Sequence, residues 1–200
     1  MKQTYSDDIA HIREMMEKSS RFISLSGLSG IGAGITGLIT GGIAYYMIKS
    51  ETRTNELYYS DEVTLQLILL GMCSLLVALF FGCYFTIRKS KQLGLSIWTS
   101  TTKKILSQLA LPLLTGGIFV LALLYYNLNG LVAGTTLIFY GLALLNSEKY
   151  TYSDIKFLGL FEVLLGCIAL FWIGKGLLFW TFGFGVLHIV YGIILYKKYK

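Results

Sequence analysis

From Val63 to Ile87 no side chain carries a charge, and the run stops abruptly at Arg88-Lys89-Ser90-Lys91. About 20 apolar residues in a helix cross the roughly 30 Å of hydrocarbon in a bilayer. Inside lipid a helix satisfies its own backbone donors and acceptors, which an isolated strand cannot do. The pattern recurs along the chain, and spans are expected at 22–48, 63–87, 105–126, 131–145, 155–173 and 177–196. The short alternating segments of a membrane β-barrel are absent. The expectation is an all-α polytopic membrane protein: an amphipathic interfacial helix over 1–21, a six-helix transmembrane domain over 22–196 and a basic tail over 197–200.

Composition agrees, with 54% hydrophobic residues and one proline and a mean hydropathy of +0.64. The net charge of +6 raises the question of nucleic acid, and its distribution answers it. Lys2, Arg13, Lys18 and Arg21 precede the first span. Arg88, Lys89, Lys91, Lys103, Lys104, Lys149, Lys156, Lys197, Lys198 and Lys200 fall on the same side in a six-span threading. Only Lys49, Arg53 and Lys175 fall on the other. Positive residues stay cytoplasmic, so both termini are expected inside a bacterial inner membrane, with the bilayer as partner and no nucleic acid.

Near the amino terminus Ser6 reads as an N-cap ahead of Asp7 and Asp8, and Ile9, Ile12 and Met16 share one helix face. Residues 6–21 are therefore expected to lie on the inner surface, or to dock a cytosolic protein. The charged stretch before the first apolar run argues against a cleaved signal, so that run is expected to remain as an anchor.

Gly30, Gly34, Gly37 and Gly41 place small residues along the first span, a face that admits another backbone closely. Gly32 to Gly37 also matches G-x-G-x-x-G by letter, without the strand and crossover that a dinucleotide site needs. Pro112 with Gly116-Gly117 should kink or locally unwind the third span. Cys73, Cys83 and Cys167 lie within spans and read as small, buried, reduced side chains.

The ionisable residues inside the membrane carry the most information. Counted outward from the Gly174-Lys175-Gly176 turn, Glu162 and His188 lie about equally far along antiparallel helices, hence at similar depth. Such groups are costly in lipid and usually face protein or water beside a partner. Gly159 and Gly166 share the face of Glu162, which turns that acid toward protein. Two readings follow. In one, Glu162 and His188 form a buried polar pair that fixes helix register. In the other they serve a proton or small-solute pathway lined by Thr36, Thr40, Thr135, Thr136, Tyr140 and Tyr191.

No C-x-x-C, H-x-x-x-H, Walker loop or G-x-S-x-G occurs. No metal, cofactor or enzymatic activity is therefore expected.

The segments Ile9 to Gly30, Leu111 to Gly117, Leu137 to Ala143 and Phe182 to His188 resemble a group of uncharacterised six-span bacterial inner-membrane proteins. This resemblance covers nearly the whole chain and implies architecture alone. The Gly-rich antiparallel spans of the second half are also similar to HdeD-type acid-resistance membrane proteins, likewise of six spans. The reading is a non-enzymatic inner-membrane protein with an envelope-stress or scaffold role, homo-oligomerisation being compatible with its glycine faces. The alternative is a small channel or proton-coupled transporter built on Glu162 and His188.

Overall fold

The computed structural model describes residues 26–50 and 57–199. Among these every regular element is helical. They are α1 (Gly27–Lys49), α2 (Asp61–Gln92), α3 (Ser100–Tyr125), α4 (Asn129–Tyr150), α5 (Ile155–Phe171) and α6 (Ile173–Lys198). The expected interfacial helix over 1–21 lies outside the described residues.

Five helices are long and apolar enough to cross a membrane, where six were expected. The exception is α5, at 17 residues. It stops because Trp172 leaves helical geometry at φ −122°, ψ 63°, and Ile173–Lys175 form a tight 3-10 turn into α6. At ~1.5 Å per residue α5 is roughly 26 Å long, a little under the hydrocarbon thickness.

Local chemistry sets the ends of the long helices. Ser60 caps α2 by accepting from Val63 N, with Asp61 and Glu62 in the first turn and Lys89 and Lys91 in the last, the arrangement the helix dipole favours. Thr99 caps α3 by accepting from Thr102 N at 3.1 Å. Between them the chain reverses through Gly94, whose φ of +65° suits a residue without a Cβ.

Pro112 sits inside α3 without interrupting it, so the expected local unwinding is not found. Proline lacks the N–H that would bond Gln108 O one turn earlier. That carbonyl instead accepts from Asn146 Nδ2 of α4 at 2.8 Å. A neighbouring helix thus supplies the donor that lipid cannot.

Helix α1 packs between α2 and α6, α4 packs between α3 and α5, and the first part of α6 also touches α4 and α5. Two seams of glycine hold this arrangement. A Cβ on Gly141 would lie 2.6 Å from Gly159 O, and one on Gly159 would lie 2.9 Å from Gly141 O. Gly134 and Gly166 answer each other in the same way, at 2.9 and 2.7 Å. In the other seam a Cβ on Gly34 would lie 2.7 Å from Gly185 O and one on Gly37 2.6 Å from Phe184 O, while Gly27 and Gly192 abut. Gly30 faces the Gly192 Cα, and Gly41 faces Thr181. Both seams repeat about every two turns, so one small face meets another along antiparallel helices. Hydrophobicity does not drive this association within lipid; close van der Waals contact does.

On the flanks, Ser90 is the only buried described residue of α2, and α3 buries only Gly116 and Leu123. Cys73, Cys83 and Cys167 are free and exposed on helix surfaces, contrary to the buried placement read from the sequence.

Candidate functional site

The site lies where α4, α5 and α6 meet. Helix α5 carries Glu162, which is 0% exposed, and α6 carries His188, 5% exposed. His188 Nδ1 stands 3.4 Å from Glu162 Oε1. Tyr140, on α4, completes a triad with its hydroxyl 2.8 Å from His188 Nε2.

The backbone of α6 is specialised here. It is α-helical over Gly176–Thr181, widens to a π-helix over Phe182–Leu187 and returns to α from His188. Such insertions are often found at functional positions. Within the widened stretch Gly183 O lies 3.0 Å from His188 Nδ1. A carbonyl only accepts, so Nδ1 carries a hydrogen. In the neutral ring the Tyr140 hydroxyl then donates to Nε2; in the imidazolium Nε2 donates to the Tyr140 oxygen.

Glu162 is held differently. A Cβ on Gly183 would lie 2.6 Å from Glu162 Oε2 and equally close to Leu137 Cδ2, so the carboxyl rests against bare backbone. Neither Oε1 nor Oε2 has a hydrogen-bond partner among the described residues. His188 Nδ1 is within ion-pair range of Oε1, but its hydrogen bond goes to Gly183. An isolated buried carboxylate costs several kcal/mol. Two arrangements carry no net charge: a neutral acid beside a neutral ring, or a carboxylate beside an imidazolium. They differ by the position of one proton, held by the Glu162 carboxyl in the first and by His188 Nε2 in the second.

Aromatic rings surround the triad. Phe184 lies 5.8 Å from the His188 ring and 5.0 Å from Tyr140, and Trp180 lies 5.0 Å from Phe184. Tyr140, Leu187 and Tyr191 pack against the buried cluster of Leu144, Ile155 and Leu158.

Of the six residues considered as pathway lining, Tyr140 alone bonds to the pair. Thr36 donates to Gly32 O and Thr136 to Ala133 O, both at 2.9 Å, so those hydroxyls are satisfied on their own helices. Thr40 and Thr135 are buried, and the buried hydroxyl of Tyr191 has no hydrogen-bond partner among the described residues. Gly183 was not singled out from the sequence. Its signal was there, in two glycines spaced by two at Gly183 and Gly185 just before the only histidine inside a span.

A second polar cluster ties the carboxyl end to the α4–α5 connection. Lys198 Nζ donates to both Asp154 oxygens at 2.9 Å, and Tyr199 OH donates to Asp154 Oδ2 at 2.9 Å. The rings of Tyr199 and Tyr152 stack at 3.9 Å, and Lys89 Nζ donates to Tyr199 O at 2.7 Å. Partial burial pushes the Asp154 carboxyl up, but the bonds from Lys198 and Tyr199 outweigh it and hold the group below the usual carboxylate range.

Among the described residues no three His, Cys, Asp or Glu side chains are grouped to hold a metal ion. The architecture and the site together define a helical membrane protein with a buried Tyr–His–Glu triad. No protein-family model, curated protein or solved structure matches the chain.

Proposed function

We propose that the chain is a non-enzymatic protein of the bacterial inner membrane, crossing it six times with both termini cytoplasmic, that responds to acid stress at the envelope through its packing. The short α5 crosses as part of the bundle, since a shorter helix is accommodated at modest cost by local thinning. The observation that carries the reading is Glu162: fully buried, without a hydrogen-bond donor to either oxygen among the described residues, and 3.4 Å from a histidine. A proton gained by the pair leaves a net charge in a tightly packed interior, and relieving that charge requires α5 and α6 to shift. The resemblance to HdeD-type proteins, which rests on the Gly-rich antiparallel spans of the sequence alone, agrees with the same class of stress. The response would pass to partners through residues 6–21 or through the exposed flanks α2 and α3, and a second copy of the chain is a candidate for those flanks.

Trp180 provides the test, because its ring reaches His188 through Phe184. In liposomes, tryptophan emission should change on acidification, and His188→Gln should abolish the change while the protein stays folded. An unchanged response in His188→Gln would overturn the reading.

The unpartnered oxygens of Glu162 also favour a second reading, a proton-conducting or proton-coupled pathway. It requires proton flux into liposomes under a pH gradient that Glu162→Gln abolishes. The first reading requires no flux above that of the variant.

A further inference from the structure

Between the second half of α1 and the start of α6 lies an open cleft of about 800 Å³, within the ~300–1,000 Å³ common for ligand sites. Glycine creates it. Gly41 and Gly42 line the α1 wall, and a Cβ placed on Gly42 would meet nothing within 4 Å. The deep part is apolar, with Leu38, Phe182 and Val186, and the mouth carries Lys49 and Lys175.

We propose that this cleft binds an anionic phospholipid of the surrounding bilayer, with its phosphate at Lys49 and Lys175 and an acyl chain running down toward Leu38 and Val186. Charge is the first argument. The other basic residues named above, Arg53 apart, fall on the opposite side of the membrane in a six-span threading, whereas Lys49 and Lys175 both line this one cleft. Depth is the second. From Lys49 to Leu38 on α1, and again from Lys175 to Val186 on α6, the helix runs roughly 16 Å, about half of a bilayer's hydrocarbon thickness. The cleft therefore matches one lipid of one leaflet, with the lysines at headgroup level and Tyr45 and Tyr46 beside them. A free phosphate ester would use the lysines and leave the apolar depth unfilled.

The test uses the purified full-length protein in a neutral detergent, titrated with phosphatidylglycerol, phosphatidylcholine or water-soluble glycerophosphoglycerol. Retained lipid is read by native mass spectrometry and stabilisation by Tm. Phosphatidylglycerol should bind and raise Tm, phosphatidylcholine should bind more weakly, and the soluble headgroup should do neither. Lys49→Gln and Lys175→Gln should each weaken phosphatidylglycerol binding about fivefold and reduce the preference over phosphatidylcholine. Gly42→Trp should fill the open space and abolish retention without lowering the lipid-free Tm. Equal binding of the two lipids, or stabilisation by the soluble headgroup, would overturn the proposal. Should Gly42→Trp fail to fold, the lysine variants decide alone: an unchanged preference in both contradicts the assignment.

Discussion

Gly183 and Glu162 occupy each other's space: the Glu162 carboxyl lies where a side chain on Gly183 would have to be, 2.6 Å from the position of its Cβ. The same glycine gives its carbonyl to His188 Nδ1. One residue of α6 therefore fixes the acid sterically and the histidine by hydrogen bonding. Gly183→Ala should displace the carboxyl and lower stability by about 1–3 kcal/mol, the usual range for overpacking a filled site. Gly117→Ala, where an added Cβ meets nothing within 4 Å, serves as the control and should cost nothing measurable. Thermal denaturation in detergent compares the two.

The triad should behave as one unit. Glu162→Gln and His188→Gln, made singly and together, should show a coupling energy of about 0.5–3 kcal/mol, whereas additive effects would separate them. Tyr140→Phe removes the hydroxyl at Nε2 and should cost about 0.5–1.5 kcal/mol. In the double variant Tyr140→Phe/His188→Gln that loss should shrink, which unfolding measurements can resolve.

Asn146 and Pro112 offer a cleaner test of backbone satisfaction in lipid. Asn146→Leu leaves Gln108 O without its donor and should cost about 1–3 kcal/mol. Pro112→Ala restores an N–H that can reach Gln108 O within α3. In the Pro112→Ala background, Asn146→Leu should be nearly neutral, and an undiminished cost there would contradict the pairing.

The clasp at the carboxyl end has a defined pH dependence. The Asp154 carboxyl sits below its unfolded value in the folded protein, so its stabilising effect is present above that unfolded value and is lost as pH falls through the folded one. Asp154→Asn should lower Tm at neutral pH, and the difference should vanish below the carboxylate range. Salt should reduce it too, because Lys198 is largely in solvent.

Much of this architecture is readable in the sequence because lipid imposes a simple rule on length and polarity. The similar depth of Glu162 and His188 follows from counting along two helices from a shared turn, and the glycines of α1 stand out by spacing. Other features are hidden for physical reasons. Gly134 and Gly141 are two turns apart with no glycine between, so their seam with α5 shows only once the helices are paired. The early end of α5 depends on the conformation of one residue, Trp172. The exposure of Cys73, Cys83 and Cys167 is hidden because protein-facing and lipid-facing positions are equally apolar, which leaves composition blind to the difference. The donor that Asn146 gives to Gln108 crosses between helices and leaves no local pattern.

At neutral pH the proposed resting state holds the triad away from bulk water, and a proton reaches it only on acidification, as α5 and α6 shift. Thiol labelling at neutral pH tests that resting state most directly. Gly159, Gly166 and Gly185 are unsuitable positions, because any side chain there strikes a neighbouring helix. Single cysteines at Val163 and Leu187, next to Glu162 and His188, avoid that problem in a protein whose three native cysteines are replaced by alanine. A cysteine at the exposed Ser50 reports reagent access. With an impermeant thiol reagent added to each side of the membrane in turn, Ser50→Cys should label from its own side only, and Val163→Cys and Leu187→Cys should stay unlabelled from both. Rapid labelling of either inner position, in protein of unchanged Tm, would place water beside the triad and contradict the sealed account.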